Sequence, residues 1–293
     1  RRSQLEALGV AFIAKGQSGY PEHLALFPDA PDALFVRGEL PSTPAVAVVG
    51  TRRCTTYGKR LAAAYGRAIG EAGWCLVSGL ARGIDGAAHE GTIASGARGV
   101  AVLGCGIDVA YPPEHAFLGR RLLDLGGAIV TEYPPGTPPE GWRFPPRNRI
   151  ISGLAAAVIV VEAGVKGGAL ITAGSALTQG VPVFAVPGDV GRASSQGTNL
   201  LIRDGAHPVL DADDLIAELE LILGPVERSA AADQVPAEVG PVLAALDHGA
   251  SADELAARLG MGSVDVVRLI GRLVAGGWIA EEGDLLLPAA PRS

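Results

Sequence analysis

AVAVVGTRRCTTYGKRLAAAYGRAIGEAGWCLVSGLARGIDGAAHEGTIASGARGVAVLG, residues 45–104, sets strand-length apolar runs against helix-length segments in strict alternation. Val46–Val49, Cys75–Val77 and Val100–Leu103 are continuously apolar rather than alternating, the pattern of strands covered on both faces. Tyr57–Glu71 and Ile84–Ala94 fill the gaps with helical length. The alternation continues through Ala128–Val130, Val158–Val161 and Val183–Val186. Glu114–Leu125 and Ala169–Gln179 are its further helices, and a last short strand is expected near Pro208–Leu210. This order predicts an α/β core over residues 41–223, a parallel sheet with helices on both faces.

The flanks differ. Residues 1–40 are broken by Pro21, Pro28 and Pro31 and read as an irregular lead-in with one helix and one short strand. Past Leu223 the chain turns polar, alanine-rich and proline-bounded, so residues 224–237 read as a linker. Residues 238–293 form a different unit. Val239–Leu246, Ala252–Leu259 and Val264–Ala275 carry helical apolar spacing, and Ser251 with Glu254 three positions on is a capping-box pair. Gly276–Gly277 ends the third helix, and WIAEEGDLLLP reads as a hairpin. Three helices and a hairpin predict a small winged-helix domain.

Composition narrows the function. At 293 residues, two or three domains are expected, and 48% hydrophobic against 19% charged residues excludes a mainly disordered chain. Cys54, Cys75 and Cys105 have no CxxC spacing, which speaks against structural zinc or a disulfide framework and for reduced thiols in a cytoplasm. Residues 1–30 hold no signal-peptide pattern, and no apolar run has transmembrane length, so no membrane partner is expected. The chain begins at Arg1 without methionine, which leaves room for a missing upstream segment. A net charge of −7 weighs against nonspecific coating of duplex DNA but leaves a focused basic site open, because charges are screened within about 10 Å at moderate salt.

One such site is written in FPPRNRIIS, residues 144–152. Phe144, Arg147, Asn148 and Arg149 crowd together with no acid among them, and Arg143 precedes them. Cations beside an aromatic ring suit a phosphate-bearing ligand that also stacks, such as single-stranded nucleic acid. Three glycine-rich turns follow predicted strands: Gly50-Thr51-Arg52-Arg53, Ser78–Gly86, and Gly164-Val165-Lys166-Gly167-Gly168. In an open parallel sheet such turns meet at one edge, where glycines admit phosphates and helix starts favour anions. Arg52, Arg53, Arg82, Arg147, Arg149 and Lys166 are therefore candidates for one pocket. Blander readings compete. GTRRC also reads as a tight turn with solvated arginines, Gly79, Gly83 and Gly86 as packing glycines, Asp85 as a helix cap, and Lys166 as a solvated loop tip. No G-x-G-x-x-G follows the first strand, and no GxxxxGK[ST], metal-ligand spacing or nucleophile with a positioned base is present. No cofactor and no metal are implied.

VVGTRRCTTYG, LVSGLARGIDGAAHEGTI, VLGCGIDVAYPPEH, TEYPPGTPP, FPPRNRIISGL, VVEAGVKGGALITAGSALTQGVPVFAVPGD and SQGTNLLIRDGA occur in that order. Together, over about residues 20–210, they resemble the DNA-processing protein A (DprA/Smf) family. The resemblance implies a Rossmann-like core, single-stranded DNA as ligand, protection of incoming strands in natural transformation, RecA as partner, and a homodimer. It also implies that residues 1–15 are the tail of an N-terminal helical domain. By motif position, Arg52, Phe144, Arg147, Asn148 and Lys166 are the DNA-binding side chains. Gly50, Gly79, Gly168 and Thr172 supply backbone or hydroxyl contacts, with Thr51 and Arg53 in the same first loop. The family usually has Ser at position 51 and often at 167 and 169, where this chain has Thr51, Gly167 and Ala169, so those hydroxyl contacts are expected to be altered or lost.

Two other readings stand beside this one. An acid after the fifth strand, Glu162, also occurs in nucleotide phosphoribohydrolases of the lysine-decarboxylase-like group, although the loop here lacks their PGGxGT proline. A sequence-specific regulator acting through the winged helix is the other. Its third helix has only Arg268 and Arg272 as basic residues, and its wing carries Glu281, Glu282 and Asp284, which favours protein contact or a structural role over duplex binding. On the binding reading, charge removal at Arg52 or Arg147 weakens single-strand affinity without unfolding the chain.

Overall fold

A computed structural model describes residues 2–40, 45–224, 239–246, 249–275, 279–282 and 285–288. The chain divides into two compact units, Arg1–Glu227 and Arg228–Ser293. In chain order the first unit runs α1 (Arg2–Ala7), β1 (Val10–Ala14), α2 (Glu22–Ala25), β2 (Ala33–Gly38), β3 (Ala45–Val49), α3 (Thr56–Glu71), β4 (Cys75–Ser78), α4 (Ile84–Ala94) and β5 (Gly99–Val102). It continues with α5 (Ala116–Asp124), β6 (Ala128–Thr131), α6 (Phe144–Gly153), β7 (Ala157–Val160), α7 (Gly168–Thr178), β8 (Val183–Ala185), α8 (Gln196–Arg203), β9 (His207–Pro208) and α9 (Ala212–Leu223).

Nine strands form one sheet in the order β1-β2-β6-β5-β4-β3-β7-β8-β9. From β6 to β9 every pairing is parallel. The chain leaves β3 for β4, β5 and β6 on one side, then returns to place β7 on the other side of β3. That reversal is the topological switch point of a Rossmann-like sheet, and it opens a crevice beyond the carboxyl ends of β3 and β7.

The lead-in corrects the expectation of one helix and one strand. It carries two short helices and two strands, and β2 pairs antiparallel with β6 (Phe35 opposite Thr131) while β1 pairs antiparallel with β2. The sheet is therefore mixed, with an antiparallel extension on an otherwise parallel core. Gly38 ends β2 at φ +84°, a conformation that glycine adopts without cost.

Alternation along β3 shows why the apolar runs are continuous. Ala45, Ala47 and Val49 enter one buried cluster with Ile150 and Ile151 of α6 and Ala173 and Ala176 of α7. Val46 and Val48 enter another with Tyr65 and Ile69 of α3, Ile84 of α4 and Leu215 of α9. Neither face has a solvent side, so polar alternation is absent.

In the second unit α10 (Val239–Ala245), α11 (Ala252–Leu259) and α12 (Ser263–Ala275) precede the antiparallel pair β10 (Ile279–Glu282) and β11 (Leu285–Pro288). Leu246, Leu255, Leu269, Ile270, Leu273, Ile279 and Leu286 form its core. The Ser251 hydroxyl accepts from the Glu254 N–H at 3.3 Å, and Glu254 accepts from the Ser251 N–H at 2.9 Å, completing the expected capping box. Apart from Gly224, the linker expected at 224–237 lies outside the described residues, as do the helix end at Gly276–Gly277 and Asp284 of the wing. Among the described residues, no helix is long and apolar enough to cross a membrane.

Candidate nucleic-acid interface

A cleft of about 440 Å³ lies at the switch point. Gly50, Thr51, Arg52 and Arg53 reach it from the turn after β3, Phe144, Arg147 and Asn148 from α6, and Lys166, Gly168 and Thr172 from the turn after β7 and the start of α7. Gly79 opens on a small adjoining recess that shares Arg52, Phe144 and Arg147 with the cleft. Segments more than a hundred residues apart in sequence thus meet at one sheet edge.

The stretch 144–152 forms α6 except for its last residue, Gly153. Pro145 and Pro146 occupy its first positions, where a helix has no N–H partner to lose. Helical spacing sends successive cations to different places. Arg147 is buried, at 3% exposure, and its Nη1 donates to the carbonyls of Gly79 (2.9 Å) and Val102. It ties α6 to the ends of β4 and β5. Gly79 is glycine because a Cβ there would lie 2.6 Å from the Arg147 guanidinium and 2.7 Å from Asp85. Burial pushes the Arg147 pKa down to about 10, against the pull of Asp85. The same burial raises the Asp85 carboxyl above its ordinary value, with Arg147 opposing. Asp85 does not cap α4. It sits in the first turn and accepts from the Gly79 N–H at 3.1 Å.

Arg149 does not belong to the cleft. It forms a two-pronged pair with Glu132, Nη1 to Oε1 at 2.9 Å and Nη2 to Oε2 at 2.8 Å, and donates to the Asp29 carbonyl at 2.6 Å. Arg82 is bound to Glu114. Arg143 is held by Glu140 at 3.1 Å and by the Pro138 carbonyl at 2.8 Å. The local positive patch read from the sequence is therefore partly spent on structure. Arg52, Arg53 and Lys166 are exposed and make no ion pair among the described residues.

Phe144 is not a bare ring. The Arg52 guanidinium carbon lies 5.0 Å from its centre and that of Arg147 5.9 Å, while Tyr111 packs against it at 5.2 Å with planes inclined by 32°. Tyr111, nine positions past the end of β5 in VLGCGIDVAYPPEH, is marked by no sequence pattern as Phe144's neighbour. Asn148 donates from Nδ2 to the Gly168 carbonyl at 3.0 Å, and the Thr172 hydroxyl donates to the same oxygen at 3.3 Å. Both are buried and fix the first turn of α7 rather than pointing freely into the cleft. Gly167 gives α7 no side-chain cap, so the N–H groups of the helix start, beside the cleft, have no side-chain partner.

Glu162 is committed elsewhere. Its carboxylate accepts from the Thr55 N–H at 2.8 Å and the Thr55 hydroxyl at 2.5 Å, and a Cβ at Gly58 would run into it. It holds the start of α3, is buried, and is not among the residues lining the cleft. That geometry offers no free acid to a glycosidic bond. Among the described residues no cluster of His, Cys, Asp or Glu is suited to hold a metal ion.

Fold and site together define a Rossmann-like α/β protein with a cationic, anion-accepting cleft at the switch point of its sheet. The sequence profile of DNA recombination-mediator protein A matches residues 11–220, and the chain belongs to that family. It is 43% identical over 203 residues to Protein Smf of Escherichia coli, covering 69% of this chain but 54% of that protein. To the DNA processing protein DprA of Bacillus subtilis it is 40% identical, covering 72% of each. Its fold is similar to that of DprA from Streptococcus pneumoniae, with a TM-score of 0.67 and 37% identity over 74% of this chain and 78% of that one. It is also similar to DprA from Helicobacter pylori, with a TM-score of 0.65 and 28% identity over 72% and 95%. The Helicobacter pylori structure concerns that protein's single-stranded DNA binding mode.

Proposed function

We propose that this protein binds single-stranded DNA in the cleft without catalysis, protects incoming strands in natural transformation and hands them to RecA in the cytoplasm. The observation that carries the reading is the meeting of Arg52, Arg53 and Lys166, none in an ion pair among the described residues, with the uncapped start of α7 at one cleft of an acidic chain. Cations and backbone N–H groups neutralise phosphates without reading bases, so binding is weakly sequence-dependent and strongly salt-dependent. Arg147 adds a fixed positive charge to the cleft while serving as a strut. Family membership supports RecA as the partner and a homodimer as the working form. We read Val239 onward as a winged helix that contacts protein or stabilises the assembly, in keeping with its acidic wing. Fluorescence anisotropy of the full chain with single- and double-stranded oligonucleotides across a salt series tests the proposal. Preference for the single strand is expected, and equal binding of both overturns it.

A further inference from the structure

The ring nominated from sequence, Phe144, already has two guanidiniums and Tyr111 against it. Beside it stands a ring that is largely free. Trp142 is 64% exposed, a rare state for the largest apolar side chain. It sits in the short 3₁₀ turn Gly141–Arg143 that leads into α6. Gly141 before it and Phe144 and Pro145 after it line the cleft, so Trp142 stands at the cleft's rim.

The exposure is held in place. Arg143 lies 4.6 Å over the indole and 5.5 Å over Tyr133, and is clamped by Glu140 and the Pro138 carbonyl. The Tyr133 hydroxyl donates back to the Arg143 carbonyl at 3.4 Å. A guanidinium held by Glu140 and the Pro138 carbonyl lies against the indole, most of whose surface is exposed. An exposed, pre-positioned aromatic beside a phosphate-binding cleft is the arrangement that stacks bases in single-strand binders.

We propose that Trp142 is a second stacking site, taking one base of the single strand as it leaves the cleft. The proposal rests on the single-strand reading of the cleft. Its test compares full-length wild type, Trp142→Ala, Trp142→Phe and Arg52→Ala on oligo-dT of about twenty nucleotides and on the same length of abasic strand. Trp142→Ala is expected to weaken oligo-dT binding about tenfold, the order one stacked base contributes, with Trp142→Phe near wild type and abasic binding unchanged. In a Trp278→Phe background, quenching of the exposed indole by oligo-dT is also expected, since Trp74 is buried. If Trp142→Ala binds oligo-dT like wild type while Arg52→Ala binds it several-fold more weakly, the stacking site is wrong and the cleft stands. An equal loss on the abasic strand also overturns stacking. If Arg52→Ala too binds normally, the single-strand reading of the cleft itself fails.

Discussion

At the residue scale, the two arginines nominated for one task do different ones. Arg52 is exposed on the cleft and Arg147 is a buried strut, so removing the second is expected to harm the fold while removing the first is not. Arg52→Ala is expected to lower affinity for oligo-dT several-fold with an unchanged thermal midpoint. Arg147→Ala strands the carbonyls of Gly79 and Val102 and leaves buried Asp85 without its nearest cation. Each buried carbonyl left without its donor costs about 1–3 kcal/mol, and urea unfolding reads the loss directly. Arg149→Ala is expected to destabilise less, because its pair with Glu132 is only partly buried, and to leave the affinity of the folded protein for oligo-dT unchanged. The sequence showed that these cations cluster but not which of them would be spent on carbonyls and carboxylates. Glu132 and Asp29, Arg149's partners, lie 17 and 120 positions away, and only the folded chain brings them near.

At the scale of elements, the strands of the parallel core were legible because burial on both faces leaves an unbroken apolar run. Helices α3, α4 and α7 were legible by length between those runs. The helical state of 144–153 was not, because two prolines and two arginines obscure an apolar face that consists of Ile150 and Ile151 alone. Nor was the close approach of α3 and α4. A Cβ at Gly66 would strike the Ala88 carbonyl, and one at Gly91 the Ala63 carbonyl, so the two backbones touch. Helix propensity alone makes Gly66→Ala a gain of about 1 kcal/mol. The clash wins, because the obstructing atom is backbone and cannot swing away, and a net loss of about 1–3 kcal/mol is expected from denaturant melts. The same helix carries a titration. His89 on α4 is fully buried with neither ring nitrogen hydrogen-bonded, and burial, aided by His115, pushes its pKa down from 6.5 to about 3. A depressed pKa means stability that is whole above pH 6.5 and drains as the pH falls toward 3, since the unfolded chain takes up the proton first. His89→Leu is expected to flatten that part of the stability–pH curve, as urea midpoints at pH 7 and pH 4 will read. An equally steep acid loss in the variant would place the titrating group elsewhere.

At the scale of the whole molecule, the charge budget sets how the cleft must work. A net charge of −7 gives no general attraction for a polyanion, so in the proposed reading attraction comes from the cations at the switch point. Three of them, Arg52, Arg53 and Lys166, come from two loops that flank neighbouring strands, and the sheet reversal between β3 and β7 is what brings those loops together. Each phosphate neutralised releases condensed counterions, and for single strands the slope of log affinity against log salt is about −0.7 per contact. Three contacts predict a slope near −2 from these side chains, with helix-start N–H groups adding affinity but little salt dependence. Replacing Arg52, Arg53 or Lys166 singly by Ala in the full chain is expected to flatten the slope by about 0.7 each, measured by anisotropy on oligo-dT. Arg149→Ala, whose charge is consumed by Glu132, is expected to leave it unchanged. A slope that falls equally in all four variants would mean that the strand follows a diffuse surface field and not this cleft.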